Sequence, residues 1–303
     1  MRILRGVNES SLKVFILEFS DHPQLQKILF IVTLYLLTIL GNTTIIPISH
    51  LEPKLHVPMY YFLSHLSFLD LCFTSSVIPQ LLVNLRDPLT SITYGGFIVQ
   101  LYASHALGAT ECVLITVMPV AVCCPLHYTV FMHPCFWMAL ASMVWLSGAT
   151  SLIQCALTLQ LPFCGHCQVD HFICEVPVLI KLACMDTSFN EVEDFVASVL
   201  FLVVPVSFIL YIAQAVLKIK STTGRQKAFG TCSSHLLVVN IFNGTIFIYL
   251  QPSKSKYKDQ GKFASLLYTV VPMLNPLIYT LRNKEFKGGL KKVLGNSLYK
   301  FYM

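Results

Sequence analysis

Apolar residues gather in seven long runs, at 25–48, 59–85, 97–123, 137–159, 194–219, 229–250 and 263–281, with shorter polar stretches between them. A helix crossing a bilayer needs about 20 mostly apolar residues, and every run has roughly that length. The pattern predicts an all-α membrane protein: a seven-transmembrane helix bundle in a single domain over 1–303, with loops too short for a second domain. After the last run, Phe286, Leu290, Val293 and Leu294 recur at i, i+4, i+7 and i+8, with Lys287, Lys291 and Lys292 between them. That spacing predicts a short amphipathic C-terminal helix over 283–295, lying on the anionic inner leaflet. Gly288-Gly289 weakens it.

Composition fixes the solvent. Hydrophobic residues make up 55% of the 303 positions and charged residues 12%, far from a soluble profile. No apolar run precedes Phe15, so no cleavable signal is expected and the first helix serves as its own insertion signal. Seven spans put the termini on opposite sides. The side with the N-terminus carries nine Lys and Arg (Arg2, Arg5, Lys13, Arg86, Lys181, Lys254, Lys256, Lys258, Lys262), the other carries eleven, and Lys27 sits at a helix end. So small an excess does not orient the chain. Asn8-Glu9-Ser10 is a glycosylation acceptor, and the loop holding Cys164, Cys167, Cys174 and Cys184 suits an oxidising space. Both place the N-terminus outside. Asn42-Thr43-Thr44 and Asn243-Gly244-Thr245 fit the acceptor pattern but lie within spans, as chance matches.

Three spans carry polar groups that lipid penalises. In the seventh, Pro272-Met273-Leu274-Asn275-Pro276-Leu277-Ile278-Tyr279 sets a helix-kinking proline beside an amide and a phenol. Pro276 frees the carbonyl of Pro272. Asn275 is placed to bond that carbonyl and to reach another helix, while Tyr279 sits where a change in the kink would swing it. A hinge and an ordinary proline kink both fit. Asn42, after Gly41 in the first span, is an amide that should glue helices together. Asp70 and Glu111 are carboxyls deep in the second and third spans, and ionisable groups at such depth mark functional positions by default. They can share a proton and hold helices together, or face each other and, with Asn275, coordinate a sodium ion. No nucleophile or phosphate loop accompanies the acids, which argues against an enzyme.

The seventh-span string, with Leu281-Arg282-Asn283-Lys284-Glu285 after it, resembles rhodopsin-like G protein-coupled receptors and the olfactory receptors in particular. Leu55-His56-Val57-Pro58-Met59-Tyr60-Tyr61-Phe62-Leu63 through Asp70 is similar to the same family's first inner loop and second helix. So are Ala109–Met118, Val120–Cys123 with Pro125-Leu126-His127-Tyr128, and Lys227–Leu236. The resemblance, from Asn8 to Val293, implies an odorant receptor for small volatile, mostly apolar organic ligands, signalling through a heterotrimeric G protein from the plasma membrane. It implies a sodium-type site at Asp70, Glu111 and Asn275, no other cofactor, and a switch at Asn275, Pro276 and Tyr279. It places a pocket in the outer halves of helices three, five, six and seven, lined by Ser104, His105, Gly108, Val199, Asn243, Phe247 and Tyr268. His105 can donate to an oxygenated ligand or sit as a hydrogen-bonded core histidine. It also implies a Cys164–Cys184 disulfide and leaves Cys174 without its helix partner, so that Cys167, extra to the pattern, can pair with it; a zinc cluster of Cys164, His166, Cys167 and His171 is the alternative. No nucleic-acid partner is expected.

The departures concentrate at the readout face. Where the family carries an Ala-Tyr-Asp-Arg-Tyr-like segment, only Pro119 stands between Met118 and Val120. Losing about four residues shortens a helix by ~6 Å but rotates its remaining turns by only ~40°, so the helix can continue, bent by Pro119. No Lys or Arg occurs from Cys123 to Phe136. The fifth helix runs from Leu210 into Tyr211 without the family's Ser-Tyr pair, Phe97 replaces a cysteine that would staple helix three to the loop, and Asn243 replaces an aromatic residue. Coupling to the G protein is therefore expected to be weak or lost. The alternative is a non-signalling, receptor-like membrane protein of pseudogene type, with retention in the endoplasmic reticulum. The seventh span has no lysine for an opsin's Schiff base, the outer third helix has no aspartate for an amine, and no internal repeat suggests a transporter.

Overall fold

The computed structural model describes residues 12–14, 24–86, 91–123, 133–163, 168–169, 175–217, 269–270, 272–276, 286 and 288–290. Five long helices dominate: α1 (Gln24–Leu51), α2 (Pro58–Arg86), α3 (Tyr94–Cys123), α4 (Pro134–Leu159) and α5 (Ser188–Leu217). Four candidate spans are apolar and long enough to cross a membrane, Lys27–Leu51, Pro58–Arg86, Tyr94–Met118 and Pro134–Leu159, and they fall on the first four predicted runs. The fifth run lies within and just beyond α5. The sixth run, most of the seventh, and most of the 283–295 helix lie outside the described residues.

Helix ends lie where capping chemistry puts them, and hydropathy alone misses those positions. α3 begins at Tyr94 because Thr93 Oγ1 accepts from Gly96 N at 3.2 Å. α4 begins three residues before its apolar run, with Pro134 in the first turn and His133 Nδ1 accepting from Cys135 N at 3.3 Å. α5 begins six residues early: Asp186 Oδ1 accepts from Ser188 N at 3.0 Å, and Thr187 Oγ1 donates to Glu191 Oε1 at 2.8 Å. The Ser188 bonds hold the Asp186 carboxyl below its usual range. Acids in this first turn also answer the helix dipole. α3 is helical through Pro119 to Cys123, so the helix continues past the shortened segment.

α1 packs on α2, α2 on α3, and α3 on both α4 and α5, which makes α3 the central member of this group. Half or more of the α2 and α3 spans is buried, 50% and 56%, against 22% for α1 and 17% for α4. The outward faces of α1, α4 and α5 carry Leu29, Phe30, Leu40, Met143, Leu146, Ile153, Phe195 and Leu200, apolar side chains suited to lipid. Hydroxyls on these helices bond back to their own turn, as Thr33 to Leu29 O and Thr74 to Asp70 O do at 2.8 and 2.6 Å. That is how a threonine is satisfied where no water can reach.

One cluster, built on Ile45, Ile48, Tyr60, Phe62, Leu66, Leu114, Ile115, Met118 and Val144, holds α1 to α4 together and takes in Phe286 and, at its margin, Leu290. The apolar face predicted for the C-terminal helix is thus packed at Phe286 against the protein as well as being suited to the leaflet. A second cluster sits at the other end of α3. There Phe97, 4% exposed, packs with Ile92, Leu101, Cys155, Leu161 and a one-turn helix at Val176–Ile180. A small sheet, absent from the sequence expectation, accompanies it: β1 (Leu12–Val14) pairs antiparallel with β2 (Ser91–Ile92) and parallel with β3 (Gln168–Val169). Strands of two or three residues leave no periodic signal to find. Cys184 is disulfide-bonded, its N–H donates to Pro162 O at 2.8 Å, and Ala183 bridges Phe163. Cys164 lies outside the described residues.

Gly148 sets the approach of α4 to α3. A β-carbon there would overlap Thr110 Oγ1 and stand 2.8 Å from the Ala106 carbonyl oxygen. Gly148→Val should therefore destabilise the bundle by about 1–3 kcal/mol, whereas Gly95→Ala, with open space around it, should be close to neutral. Thermal melting of the two purified variants in detergent checks this; equal melting would refute the close approach.

Candidate functional site

The polar residues singled out from the second, third and seventh runs meet at one point. Asn275 Nδ2 donates to Asp70 Oδ1 and to Glu111 Oε1, each at 3.2 Å. All three side chains are about 1% exposed. Periodicity explains the meeting: Leu66, Leu69, Phe73 and Val77 bury the same side of α2 as Asp70, while Leu114, Ile115 and Met118 do so beyond Glu111. An amide nitrogen has two hydrogens, and the two carboxyls use both. None remains for the Pro272 carbonyl, so the bond expected back to that carbonyl gives way to the cross-helix pair.

The seventh segment is held from a second side. Thr38 Oγ1 donates to Leu34 O at 2.8 Å and reaches Met273 O at 3.3 Å. Gly41 lies against Pro276, where a β-carbon would stand 2.6 Å from the proline Cβ. Only glycine admits so close an approach of α1 to the kink. Asn42, next along α1, is fully buried, yet neither its Nδ2 nor its Oδ1 has a partner among the described residues. Asp70 Oδ2 and Asn275 Oδ1 are likewise buried and unpartnered. Buried polar atoms in this condition are rare and call for a bound water, ion or proton.

The charge balance points the same way. α2 carries no Lys or Arg before Arg86, and α3 has none at all, so no cation on those helices answers two adjacent carboxylates. A shared proton or a bound cation must neutralise the pair. The unpartnered Asp70 and Asn275 oxygens, with the second Glu111 oxygen, make the all-oxygen donor set that a hard cation takes. Among the described residues no group of three or more His, Cys, Asp or Glu gathers as a transition-metal site. The cysteine and histidine positions of the zinc alternative lie outside the described residues.

The residues expected to line a ligand pocket divide. Ser104 and Gly108 are buried on α3, and Ser104 Oγ bonds its own helix at Leu101 O, 3.2 Å away. His105 and Val199 are partly buried, on α3 and α5. His105 is joined to α4: its Nε2 lies 2.8 Å from Gln154 Oε1, and Gln154 Nε2 donates to Asp194 Oδ1 on α5 at 3.3 Å. Neither partner was singled out from the sequence, although Gln154 lies inside an apolar run and Asp194 at the start of one. Asn8, Asn243, Phe247, Tyr268 and Tyr279 lie outside the described residues. At the inner half, Trp145 Nε1 donates to His65 Nδ1 at 3.2 Å, which ties α4 to α2 beside Tyr61 and Phe68.

Comparison with known proteins places this arrangement. A family profile described as olfactory receptor matches residues 31–297. Human olfactory receptor 2G2 is 72% identical, with 98% of this chain and 98% of that protein covered. Human olfactory receptor 2G3 is 59% identical over 96% of this chain and 99% of that protein, and mouse olfactory receptor 2C1 is 56% identical over 95% and 96%. The crystal structure of squid rhodopsin superposes with a TM-score of 0.63 over 94% of this chain and 91% of that one, at 13% identity, a likeness of fold alone. A polar centre between the second, third and seventh spans, apolar helices around it, and these matches over nearly the whole length agree: the chain is a multi-pass membrane protein with the rhodopsin-like seven-helix fold, and it belongs to the olfactory receptor family of G protein-coupled receptors.

Proposed function

We propose that the protein is an odorant receptor of the plasma membrane, N-terminus outside, which binds small, mostly apolar volatile ligands in the outer half of its bundle and couples weakly or not at all to a heterotrimeric G protein. The carrying observation is the Asn275 bridge to Asp70 and Glu111. A centre of this kind holds three spans in register, and only a protein that gains from a change at that point has reason to keep two carboxyls in lipid. The pocket would draw on Ser104, His105, Gly108 and Val199 together with Asn243, Phe247 and Tyr268. Asn275, Pro276 and Tyr279 would form the moving part.

Asp70, Glu111 and Asn275 would hold a sodium ion through their oxygens. When bound, the ion supplies one positive charge that lets both acids remain ionised. The residues themselves do the rest: Asn275 orients the two carboxyls, and the kink at Pro276 determines how far the amide stands from them. Sodium should raise the melting temperature of the purified protein, by about 1.4 kcal/mol of stabilisation at ten times its Kd, while potassium does not. The Asp70→Asn variant should lose the response. A sodium effect that survives this substitution would rule out the site.

Cys164 is the proposed partner of Cys184, supported by the backbone pairing of Phe163 with Ala183 beside them. Cleaving the non-reduced protein should release peptides containing Cys164 and Cys184 as one linked species; a linkage of Cys184 to any other cysteine would disprove the pairing.

The second reading, a receptor-like protein that no longer signals, rests on Pro119. The core contacts of α3 run to Met118, which is fully buried, and the altered segment starts at the next residue. A ligand moves an equilibrium only between states that differ at the readout face, and here that face lacks the arginine and the basic loop that would report the change. Inserting the missing Asp-Arg-Tyr segment between Met118 and Val120 should raise basal cyclic AMP several-fold above the unmodified chain at equal surface staining. Equal signalling by the two chains would refute impaired coupling, and surface staining of the native chain separates a silent receptor from one retained in the endoplasmic reticulum.

A further inference from the structure

His105, Gln154 and Asp194 form a polar chain across α3, α4 and α5. We infer that Gln154 and Asp194 lock His105 as the tautomer protonated at Nε2, so that the site presents Nδ1 as an acceptor and selects ligands with a hydroxyl or N–H donor. The ligand class rests on the reading of His105 as a pocket residue; the tautomer does not.

The chain has a direction. A carboxylate accepts and does not donate, so Gln154 turns its amide nitrogen to Asp194 Oδ1 at 3.3 Å. The other end of the amide, Oε1, then faces His105 Nε2 at 2.8 Å. An amide oxygen accepts only, so Nε2 must carry the hydrogen. A neutral imidazole has one N–H, which leaves Nδ1 with its lone pair. No partner for Nδ1 occurs among the described residues, and Nδ1 is not one of the closed-off buried polar atoms. It is thereby left to accept from a ligand. A histidine expected to donate to an oxygenated ligand instead has its one donor occupied.

An alcohol or phenol can donate to Nδ1, whereas a ketone, aldehyde or ether of the same size sets its own lone pairs against the ring nitrogen. One net hydrogen bond in such a site corresponds to about tenfold in affinity. Gln154 and Asp194 need not touch the ligand; they are positioning residues.

Two measurements on the full-length protein in lipid nanodiscs test the inference. Imidazole nitrogen NMR of histidine-labelled protein, with the His105 signal identified by its loss in His105→Phe, should show the Nε2–H pattern in the native chain. In Asp194→Asn, where Gln154 is free to turn over, it should show a mixture with the Nδ1–H form. An Nδ1–H or doubly protonated ring in the native chain overturns the tautomer lock. In the second measurement, medium-chain alcohols should stabilise the native protein against heat at about one-tenth the concentration needed for the matching ketones and methyl ethers. The preference should shrink in Asp194→Asn. Equal stabilisation by alcohols and ketones overturns the selectivity but leaves the pocket standing. Stabilisation by no compound, with the Nε2–H pattern present, overturns the pocket and the ligand class while the lock stands.

Discussion

Hydrocarbon offers a buried polar group nothing to bond, and the described part of this bundle is arranged around that constraint. Two acids and two amides sit where no solvent reaches them. The Asn275 amide answers one oxygen of each acid and thereby ties α2, α3 and the seventh segment at a single point. Asp70 Oδ2 and Asn275 Oδ1 are left without a partner among the described residues. Everything near that point serves close approach. Gly41 admits Pro276, and the Thr38 hydroxyl reaches a backbone oxygen beside the kink. A proline in a helix frees a carbonyl and weakens it; here Asp70, Glu111, Thr38 and Gly41 all lie against the segment that carries it.

One end of α3 is held to its neighbours by packing at Phe97. Its ring fills an apolar cluster with the Val176–Ile180 turn and Leu161, so the loop remains attached to α3 by burial. The β1–β2–β3 ribbon adds backbone bonds from the N-terminal segment to both outer loops. Burying a phenylalanine stabilises by about 1.5–3 kcal/mol, comparable with the lower range for a disulfide, but it breathes where a disulfide does not.

What could be read in the sequence depended on the strength of each signal. Runs of some 20 apolar residues announce helices whatever their neighbours, and the four spans found by length and hydropathy coincide with four of the predicted runs. Asp70, Glu111 and Asn275 stood out because ionisable and amide groups in lipid are expensive, and the family resemblance placed them on helices known to adjoin. Helix starts were misjudged where acids and hydroxyls cap a turn, at Asp186, Thr187 and Glu191, because a hydropathy average reads those residues as loop. Gln154 and Asp194 went unseen for a related reason. Only three-dimensional packing puts them in line with His105. The two unpartnered ends of Asn42 were equally invisible, since the sequence shows a donor and an acceptor but never whether anything faces them.

The contacts of α3 are concentrated in the stretch before Pro119 among the described side chains. Tyr94 to Met118 carries the apolar cluster at each end, the acid centre and the histidine chain, and all of these lie on the outer side of Pro119 or immediately before it. Met118, fully buried, directly precedes Pro119. A four-residue deletion nearly preserves helical phase, since it is close to one full turn, and α3 is accordingly still helical at Cys123. Helical phase is thus kept through a stretch where the sequence offers Pro119 and no charged residue.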